Sequence, residues 1–444
     1  MITFNYDQAL QLLENDQLSE LQNILKDQHP ADVAEFINEI PIEFHITLFT
    51  LLDAEMASDV LSEIHDEFRQ DILENIKPER LVNIIDEMET DEAVDVLNEL
   101  DDEISEDILS ALDEEDRSNY QQLLSYSEES AGGLMQTEII IVNQKLTRIQ
   151  VIDDIRKNYS EVENIHYVYV VDDHSKLVGI LDVGHLLLAN DESIVAQIME
   201  TSIITAFVEM DQEKVAGLFR KYDIYAVPVV DKQNRLLGRI TVDDIIDVMD
   251  EEATEDAYRL VGLTEEDRVF TRPINSVKKR LPWLTLNLLT AVLISSVVGI
   301  FEQTIAKLSI LAVLMPIVAG LGGNSGTQTL TVITRGIALG ELTIHNTWKA
   351  VIKEITVGFI NGMIIGSLVC LLAYLLKYDP RIGAILGIAM VCNMFIAGLV
   401  GSLIPVILKS LKIDPALASS VIITMLTDIG GYACFLGLAS RILM

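Results

Sequence analysis

The sequence predicts a multidomain protein: an all-α superhelical N-terminal domain, an α/β domain of two tandem repeats, and an all-α transmembrane domain of five helices. Three observations lead to this fold class. Charge is distributed unevenly, a central unit occurs twice, and five long apolar stretches follow it. Because 444 residues exceed one ordinary core, several domains are expected. We place their boundaries at residues 1–130, 131–250, 251–280 and 281–444.

The formal net charge of the chain is −38, and it is concentrated in one half. Residues before Thr271 hold 63 acidic and 18 basic side chains, whereas the remainder holds 6 and 13. Such an acidic region repels nucleic acid and anionic lipid, attracts cations, and destabilises itself unless counter-ions neutralise it. Solubility alone is the alternative explanation. We therefore expect cationic ligands and no nucleic-acid partner.

The three cysteines, Cys370, Cys392 and Cys434, lie in apolar stretches without the paired spacing of a zinc site. We therefore expect buried thiols rather than disulfides or metal ligands. Residues 1–25 lack the basic start and apolar core of a secretory signal, so we expect the N-terminal region in the cytosol.

The first domain has the pattern of short amphipathic helices in series. Apolar residues recur at spacings of three and four in segments 31–40 and 90–100, and prolines separate such segments. Related units occur at 55–61 and 91–97. This repetition predicts a stacked helical superhelix that ends near Gly132.

From residue 138 onward the pattern changes to strands that alternate with helices. Segments 138–142, 166–171 and 177–183 are predicted strands, and a capping box at 147–150 predicts a helix to about Tyr159. The β-α-β-β-α unit recurs at an offset of 59 residues.

The duplicated unit resembles a pair of cystathionine-β-synthase-type (CBS) modules. Its second copy carries the Gly-x-x-Thr-x-x-Asp signature as Gly238, Thr241 and Asp244, and in such modules the Thr and Asp contact an adenine nucleotide. The first copy has Asp182 and His185 in place of the Thr and Asp. The resemblance therefore implies one ATP-type site at most, and a purely structural module is the alternative.

A charged connecting helix is predicted over residues 253–280, and five apolar stretches follow. Each is close to or longer than the roughly 20 residues that span a bilayer. Basic residues are more numerous in the loops of one side, so we expect that side and the N-terminal region in the cytosol and Met444 outside, in a multi-pass protein of the plasma (inner) membrane. The stretches are residues 283–301, 308–335, 350–376, 383–408 and 416–441.

Asp428 is the outstanding polar residue of these stretches. It lies 12 residues after Ala416, about 18 Å along a helix, which is near the middle of a bilayer. A charge at that depth is costly without a partner, water or an ion, and no basic residue occurs at comparable depth. We interpret Asp428 as a cation ligand in a wet pore, and a protonated buried acid is the alternative.

Gly320–Gln328 is the second unusual segment, because it combines glycines with neutral oxygen ligands. Glycines permit unwound backbone, and irregular backbone at membrane depth is tolerated where it lines a cavity. Asn324, Thr327 and Gln328 would then supply oxygens to the pore. Glycines that serve helix packing are the alternative.

One carboxylate among neutral oxygens suits hydrated Mg²⁺, which prefers oxygen ligands and loses water reluctantly. A two-fold axis would double the single Asp428 of each chain. These residues alone do not distinguish Mg²⁺ from manganese or cobalt ions.

Four motifs identify the chain as similar to the MgtE family of magnesium channels, and the domain order matches over essentially the whole chain. The resemblance implies a homodimer in a lipid bilayer, with five transmembrane helices per chain and Asp428 as the pore ligand of hydrated Mg²⁺. The motifs lie at residues 252–256, 280–284, 322–328 and 414–417.

The resemblance also implies regulatory Mg²⁺ ligands. Two of them have simpler explanations, since Asp91 complements a helix dipole and Asp414 suits a helix N-cap. Together with Asp428 and Asn324 in the pore, the expected metal ligands are Asp59, Asp91, Asp95, Glu213, Asp223, Asp244, Asp247, Glu252, Glu255, Asp256 and Asp414.

We expect a gated, magnesium-selective channel and neither an enzyme nor a pump, because the sequence has no Gly-x-x-x-x-Gly-Lys-[Ser/Thr] phosphate loop. High cytosolic Mg²⁺ would bridge the acidic domains and close the pore. The alternatives are a nucleotide-regulated transporter of Co²⁺, Mn²⁺ or another solute, and a membrane-anchored nucleotide sensor without transport. Asp428 argues against a solute transporter and against the sensor.

Overall fold

The computed structural model describes residues 6–159, 165–263, 267, 269, 271, 273–343, 345–415 and 420–444. The chain divides into two compact units, residues 1–251 and 252–444. The first unit contains the helical and α/β regions, and the second contains the long apolar helices.

The predicted series of short helices is confirmed in the N-terminal region, where ten helices and a 3₁₀ turn at Ile42–Phe44 lie within the described residues. They are α1 (Tyr6–Glu14), α2 (Leu18–Leu25), α3 (Pro30–Glu39), α4 (His45–Phe49), α5 (Ala54–Glu63), α6 (Asp66–Asn75), α7 (Pro78–Ile85), α8 (Thr90–Glu99), α9 (Asp102–Ala111) and α10 (Glu114–Leu123). Pro30 and Pro78 occupy first helical positions, where the missing N–H would have no helical partner. Asp53 caps α5, because its Oδ1 accepts from the Met56 N–H at 3.2 Å.

Apolar side chains on one face of each helix form the core of this region. Leu21, Phe36 and Phe49 are almost fully buried in it. The same core continues into the second α/β repeat through Val229 and Ile240. The helical region and the second repeat therefore form one packed body.

The α/β region contains two copies of the predicted unit. The first consists of β1 (Ile141–Asn143), α11 (Arg148–Asn158), β2 (Tyr167–Val171), β3 (Leu177–Asp182), α12 (Val183–Leu188) and α13 (Val195–Ile198), and the second of β4 (Ala206–Phe207), α14 (Gln212–Tyr222), β5 (Ala226–Val230) and β6 (Leu236–Thr241). In each sheet the first pairing is parallel and the second antiparallel, with strand order β1-β2-β3 or β4-β5-β6. The capping box of Thr147 and Gln150 is confirmed at the start of α11.

Helix α15 (Val242–Leu260) follows β6 directly. We predicted a single connecting helix over 253–280, and this prediction is wrong in its extent. Gly262 takes a positive φ of 75°, which ends the helix in a conformation that glycine adopts without strain. The next helix of the described part of the chain begins at Pro273, and residues 264–266, 268, 270 and 272 of the predicted segment lie outside the described residues.

Five helices of the second unit are long and apolar enough to cross a membrane, which confirms the predicted number within the part of the chain that was described. They are α16 (Pro273–Gly299), α18 (Ile310–Ala338), α19 (Thr347–Leu375), α20 (Pro380–Ser410) and α21 (Ser420–Ile442), and the short α17 (Glu302–Lys307) follows the first. Helix α16 packs against α21 and leaves most of its apolar surface uncovered by this chain.

Helices α19 and α20 pack backbone to backbone. A Cβ added to Gly358 would lie 2.5 Å from the Met394 carbonyl oxygen, and one on Gly366 would lie 2.6 Å from that of Gly387. Glycine at these positions is what permits the close approach.

The expectation of irregular backbone in Gly320–Gln328 is wrong, because α18 is helical through this segment. Its glycines instead accommodate side chains of neighbouring helices. A Cβ on Gly322 would meet the amide of Asn393, and one on Gly326 would lie 2.5 Å from Cγ2 of Ile423. Close helix packing therefore explains the glycines.

Candidate functional site

The two predicted pore features lie on helices that touch each other. A Cβ on Gly323 of α18 would lie 3.0 Å from Cγ2 of Thr424 on α21. Asn324 is the next residue on α18, and Asp428 lies one turn after Thr424 on α21. The fold thus brings the amide-bearing segment and the aspartate-bearing segment together.

Asn324 and Gln328 are exposed and lie one turn apart on α18, whereas Gly322, Gly323 and Gly326 are buried against the bundle. Amide side chains directed at hydrocarbon are unfavourable unless water or protein covers them. This face of α18 is therefore suited to a second chain or to a water-filled path rather than to lipid.

Asp428 is partly buried in α21, eight residues after its first residue and fourteen before its last. These separations correspond to roughly 12 Å and 21 Å, which places the carboxyl well inside a bilayer. Among the described residues, no ion pair involves Asp428. A carboxylate at this depth without a basic partner is suited to a mobile cation.

In the first unit, Asp91 is the most strongly perturbed of the predicted metal ligands. Asp91 is only 7% exposed, and its Oδ1 atom is buried without a hydrogen-bond partner in the described structure. Burial raises the pKa of Asp91 well above its usual range, and the neighbouring Asp244 and Glu89 raise it further. A buried, orphaned oxygen among carboxylates fits a divalent cation with oxygen ligands.

Asp244 has a defined local role as well. Its Oδ2 accepts from the backbone N–H of Thr241 at 3.1 Å and from its hydroxyl at 2.5 Å. Burial still raises the pKa of Asp244, since it outweighs these two hydrogen bonds. The Thr and Asp of the nucleotide signature are therefore hydrogen-bonded to each other.

Gly238, the third residue of the signature, is explained by packing. A Cβ on it would lie 2.5 Å from the backbone carbonyl oxygen of Gln136. Gln136 and Arg239 form a bridge by exchanging backbone hydrogen bonds at 2.7 and 2.9 Å. The glycine therefore permits two backbone segments to approach.

The other predicted ligands of this unit are not drawn into one centre. Five are exposed: Asp59, Asp95, Glu213, Asp223 and Asp247. Asp223 ends α14 with a positive φ of 51°, and Glu213 lies in the first turn of that helix. Across the described ranges, no group of three or more His, Cys, Asp or Glu side chains is placed to hold a metal ion. Among these predicted ligands, Asp244 raises the pKa of Asp91, and Asp247 raises that of Asp244.

The second unit contains a separate group of carboxylates around Arg259 on α15. The Arg259 guanidinium forms ion pairs with Glu255 and with Asp414. Burial raises the pKa of Asp256, and the nearby Asp414 raises it further. Glu252 lies one turn before Asp256 on the same helix and is partly buried.

Sequence reasoning missed several residues at these sites. Burial and neighbouring acids raise the pKa values of Glu89 and Glu92 to about 7. Arg259 was not considered, although its spacing of four from Glu255 is a recognisable helix ion pair. Asn393 was also missed, although a lone amide in the middle of an apolar stretch is a usable signal.

Family models match most of the chain. Residues 315–438 match MgtE, described as a divalent cation transporter, and residues 28–129 match the MgtE intracellular N domain. Residues 131–192 and 195–251 match the CBS domain.

Several relatives align over most of their length. The chain is 34% identical over 430 residues to the magnesium transporter MgtE of Thermus thermophilus, with 95% of each chain covered. It is 30% identical over 430 residues to that of Bacillus subtilis, covering 97% of this chain and 95% of the relative. It is 35% identical over 320 residues to the magnesium transporter MgtE of Enterococcus faecalis, covering 72% of this chain and 70% of the relative.

Two solved structures resemble the first unit. One is the cytosolic domain of the Mg²⁺ channel MgtE in complex with ATP, at 32% identity and a TM-score of 0.53, covering 55% of this chain and 100% of that one. The other is the soluble part of a magnesium transporter, at 34% identity and a TM-score of 0.51, covering 56% and 98%. With the matching family models and the full-length relatives, these likenesses show that the chain belongs to the MgtE family of divalent cation transporters.

Proposed function

We propose that this protein is a Mg²⁺ channel of the plasma membrane, with a pore formed by two copies of the chain. The observation that carries the proposal is Asp428, an acidic residue deep in α21, beside the amide-bearing face of α18. Two copies around an axis supply two carboxylates and several neutral oxygens. That field suits a cation that keeps its water shell, as Mg²⁺ does.

Pairing of two chains also accounts for the outward amides of Asn324 and Gln328. In a single chain they lie on an exposed face, where lipid would leave them unsatisfied. A second copy on that face encloses them in a polar path. The excess of basic residues in the loops of one side supports an orientation with the acidic unit in the cytosol and the C-terminal end of α21 outside.

We propose further that cytosolic Mg²⁺ closes this pore by binding carboxylates of both units. Asp91 with Asp244 is the proposed pair in the first unit, because burial raises the pKa of both carboxyls and Asp244 raises that of Asp91 further. In the second unit, Glu255 and Asp414 form ion pairs with Arg259, so Mg²⁺ has to compete with its guanidinium, and Asp256 lies near Asp414. Several ions that favour one state make closure cooperative.

ATP is the proposed modulator at the second CBS copy. The related cytosolic domain was solved with ATP, and this chain carries the signature residues Thr241 and Asp244. Because these side chains bond to each other, a nucleotide must replace the Thr241 hydroxyl bond with its own. Calorimetry of full-length protein with ATP should give heat, and Thr241→Ala should reduce it. Absence of heat with the wild type would leave the module structural.

The Asp428→Asn variant tests the pore assignment, since it keeps the size of the side chain and removes its charge. We expect Mg²⁺ flux into proteoliposomes to fall at least about tenfold, the cost of one lost charge-assisted contact. Asp379→Asn is the matched control, because Asp379 caps α20 and asparagine caps helices equally well. Flux of Asp428→Asn equal to that of the control would refute the pore assignment.

A further inference from the structure

We propose that Asn393 of α20 is a positioning residue that sets the spacing between the two pore-bearing helices, α18 and α21. This role rests on the proposed conduction of Mg²⁺ and adds a residue outside the pore itself. Asn393 lies near the middle of α20 and is 0% exposed, so it belongs to the interior of the bundle.

The amide of Asn393 is bonded to α18. Its Nδ2 donates to the backbone carbonyl oxygen of Val318 at 2.7 Å. In a low-dielectric bundle a hydrogen bond between helices has a defined length and direction, which apolar packing lacks. The bond therefore fixes α20 relative to α18 one turn before Gly322.

The same amide occupies the space left by two glycines on different helices. A Cβ on Gly322 of α18 would lie 2.1 Å from Asn393 Nδ2, and one on Gly431 of α21 would lie 2.7 Å from that atom. The amide thus packs between α18 and α21 at this level, where Cγ1 of Val318 on α18 also lies 2.9 Å from the Cβ position of Gly431. Any side chain larger than hydrogen at either glycine would displace the amide or spread the helices.

The carbonyl oxygen of the Asn393 side chain argues against a purely stabilising role. Asn393 Oδ1 is buried and has no hydrogen-bond partner in the described structure. A half-satisfied polar group inside a membrane bundle costs free energy that an apolar residue of similar size would not. Stability alone would favour leucine, so the amide is explained better by the geometry it imposes.

That geometry bears directly on the pore residues. Gly322 lies two residues before Asn324, and Gly431 lies three residues after Asp428. A change in the separation of α18 and α21 at Asn393 therefore shifts the Asn324 amide relative to the Asp428 carboxylate. Because hydrated cations differ little in size, such a shift should alter selectivity as well as rate.

The Asn393→Leu variant separates positioning from stability. In proteoliposomes we expect Mg²⁺ flux to fall at least about fivefold and the ratio of Mg²⁺ to Mn²⁺ flux to change. The midpoint of thermal unfolding in detergent should stay the same or rise. Asn361→Leu, the same change at an exposed position of α19, should alter neither flux nor ratio.

A size-exchange cycle gives a second measurement. Gly322→Ala alone should reduce flux, because its Cβ meets the Asn393 amide. Adding Asn393→Ala makes room for the new methyl group. The double variant should therefore have a higher Mg²⁺ flux and a higher midpoint of thermal unfolding than Gly322→Ala alone. Gly299→Ala, whose Cβ meets no atom within 4 Å, is the control for the added methyl group.

The outcomes are distinguishable. If the wild type conducts no Mg²⁺, the proposed function fails and this role fails with it. If the wild type conducts and Asn393→Leu matches it in both rate and ion ratio, the positioning role alone is overturned. A lower thermal midpoint with an unchanged ion ratio would also overturn it, since this is what a merely structural residue would show.

Discussion

The carboxylates around Asp91 in the first unit and those around Arg259 in the second unit have different surroundings. In the first unit, Asp91 is surrounded by other acids, and Asp244, Glu89 and Glu92 all raise its pKa. In the second unit, four carboxylates are joined to basic side chains of the same chain, whereas Asp428 is in no ion pair among the described residues. The ion pairs there are Glu255 and Asp414 with Arg259, Asp267 with Arg280, and Glu354 with Lys353.

The difference indicates which carboxylates depend on an external cation. Buried acids without a nearby base repel one another and take up protons, so a divalent ion has much to neutralise. Carboxylates that already form an ion pair with an arginine or lysine are neutralised without a divalent cation. Removal of one charge should therefore have opposite effects at Asp91 and at Arg259.

The largest expected effect is that of Asp91→Asn. At pH 8 without Mg²⁺, it should stabilise α8 by about 1–3 kcal/mol, because a buried uncompensated charge is removed. With millimolar Mg²⁺ the wild type should gain more protection than the variant. Hydrogen exchange of the α8 amides in the full-length protein measures both.

Asp102→Asn provides the matched control, since Asp102 lies in the first turn of the next helix, α9, and is exposed. A role for Asp91 limited to the helix dipole predicts the same small loss for both variants. Equal responses of the two variants to Mg²⁺ would therefore remove Asp91 from the sensor.

Arg259→Gln should act in the opposite direction. It leaves Glu255 and Asp414 without their basic partner, and should destabilise the residue 252–260 segment by about 1–2 kcal/mol, because the pair is only partly exposed. Mg²⁺ should restore the protection, at a concentration several-fold lower than the wild type needs. Hydrogen exchange of this segment across a Mg²⁺ titration gives both quantities.

Lys278→Gln removes a positive charge from an exposed position of α16 and is the control for net charge. If it lowers the required Mg²⁺ concentration as much as Arg259→Gln does, the effect is general electrostatics. Competition by the Arg259 guanidinium would then be excluded.

The smallest expected effect is on pH dependence. The pKa values of Glu89 and Glu92 rise from an ordinary 4.5 to about 7 in the fold, so the folded state binds more protons than the unfolded state between these values. Their contribution to stability is present below about pH 4.5 and is lost as the pH rises through 7. We expect about 1 kcal/mol per group after solvent screening, measured by urea unfolding in EDTA.

Mg²⁺ should flatten this pH profile above pH 7, because bound metal replaces the lost protons. The double variant Glu89→Gln and Glu92→Gln should flatten it without metal. If the free energy of unfolding of the wild type rises between pH 5.5 and 8 in EDTA, the pKa values of Glu89 and Glu92 are not raised as proposed.

Local patterns and long-range contacts differ in how well they could be predicted. The capping box of Thr147 and the prolines that open α3 and α7 act within one helical turn, so their consequences are readable from adjacent residues. The five membrane helices follow from length and hydropathy alone. These parts of the fold were predicted correctly for that reason.

The site was less predictable because its chemistry depends on distant partners. Burial raises the pKa of Asp91, and Asp244 raises it further after the helical region packs on the second α/β repeat. The glycines of α18 were expected in unwound backbone, whereas Asn393 on another helix explains one of them. The pore and sensor assignments beyond these contacts stay predictions.

The contact between α16 and α21 has a consequence for biosynthesis. Of the five long apolar helices that are described, α16 is synthesised first and α21 last, and they lie against each other in the finished bundle. Helix α16 therefore enters the bilayer before the helix against which it packs has been synthesised. Truncation before α21 should leave α16 without its partner and expose the nascent chain to membrane quality control, even though the preceding four helices are intact.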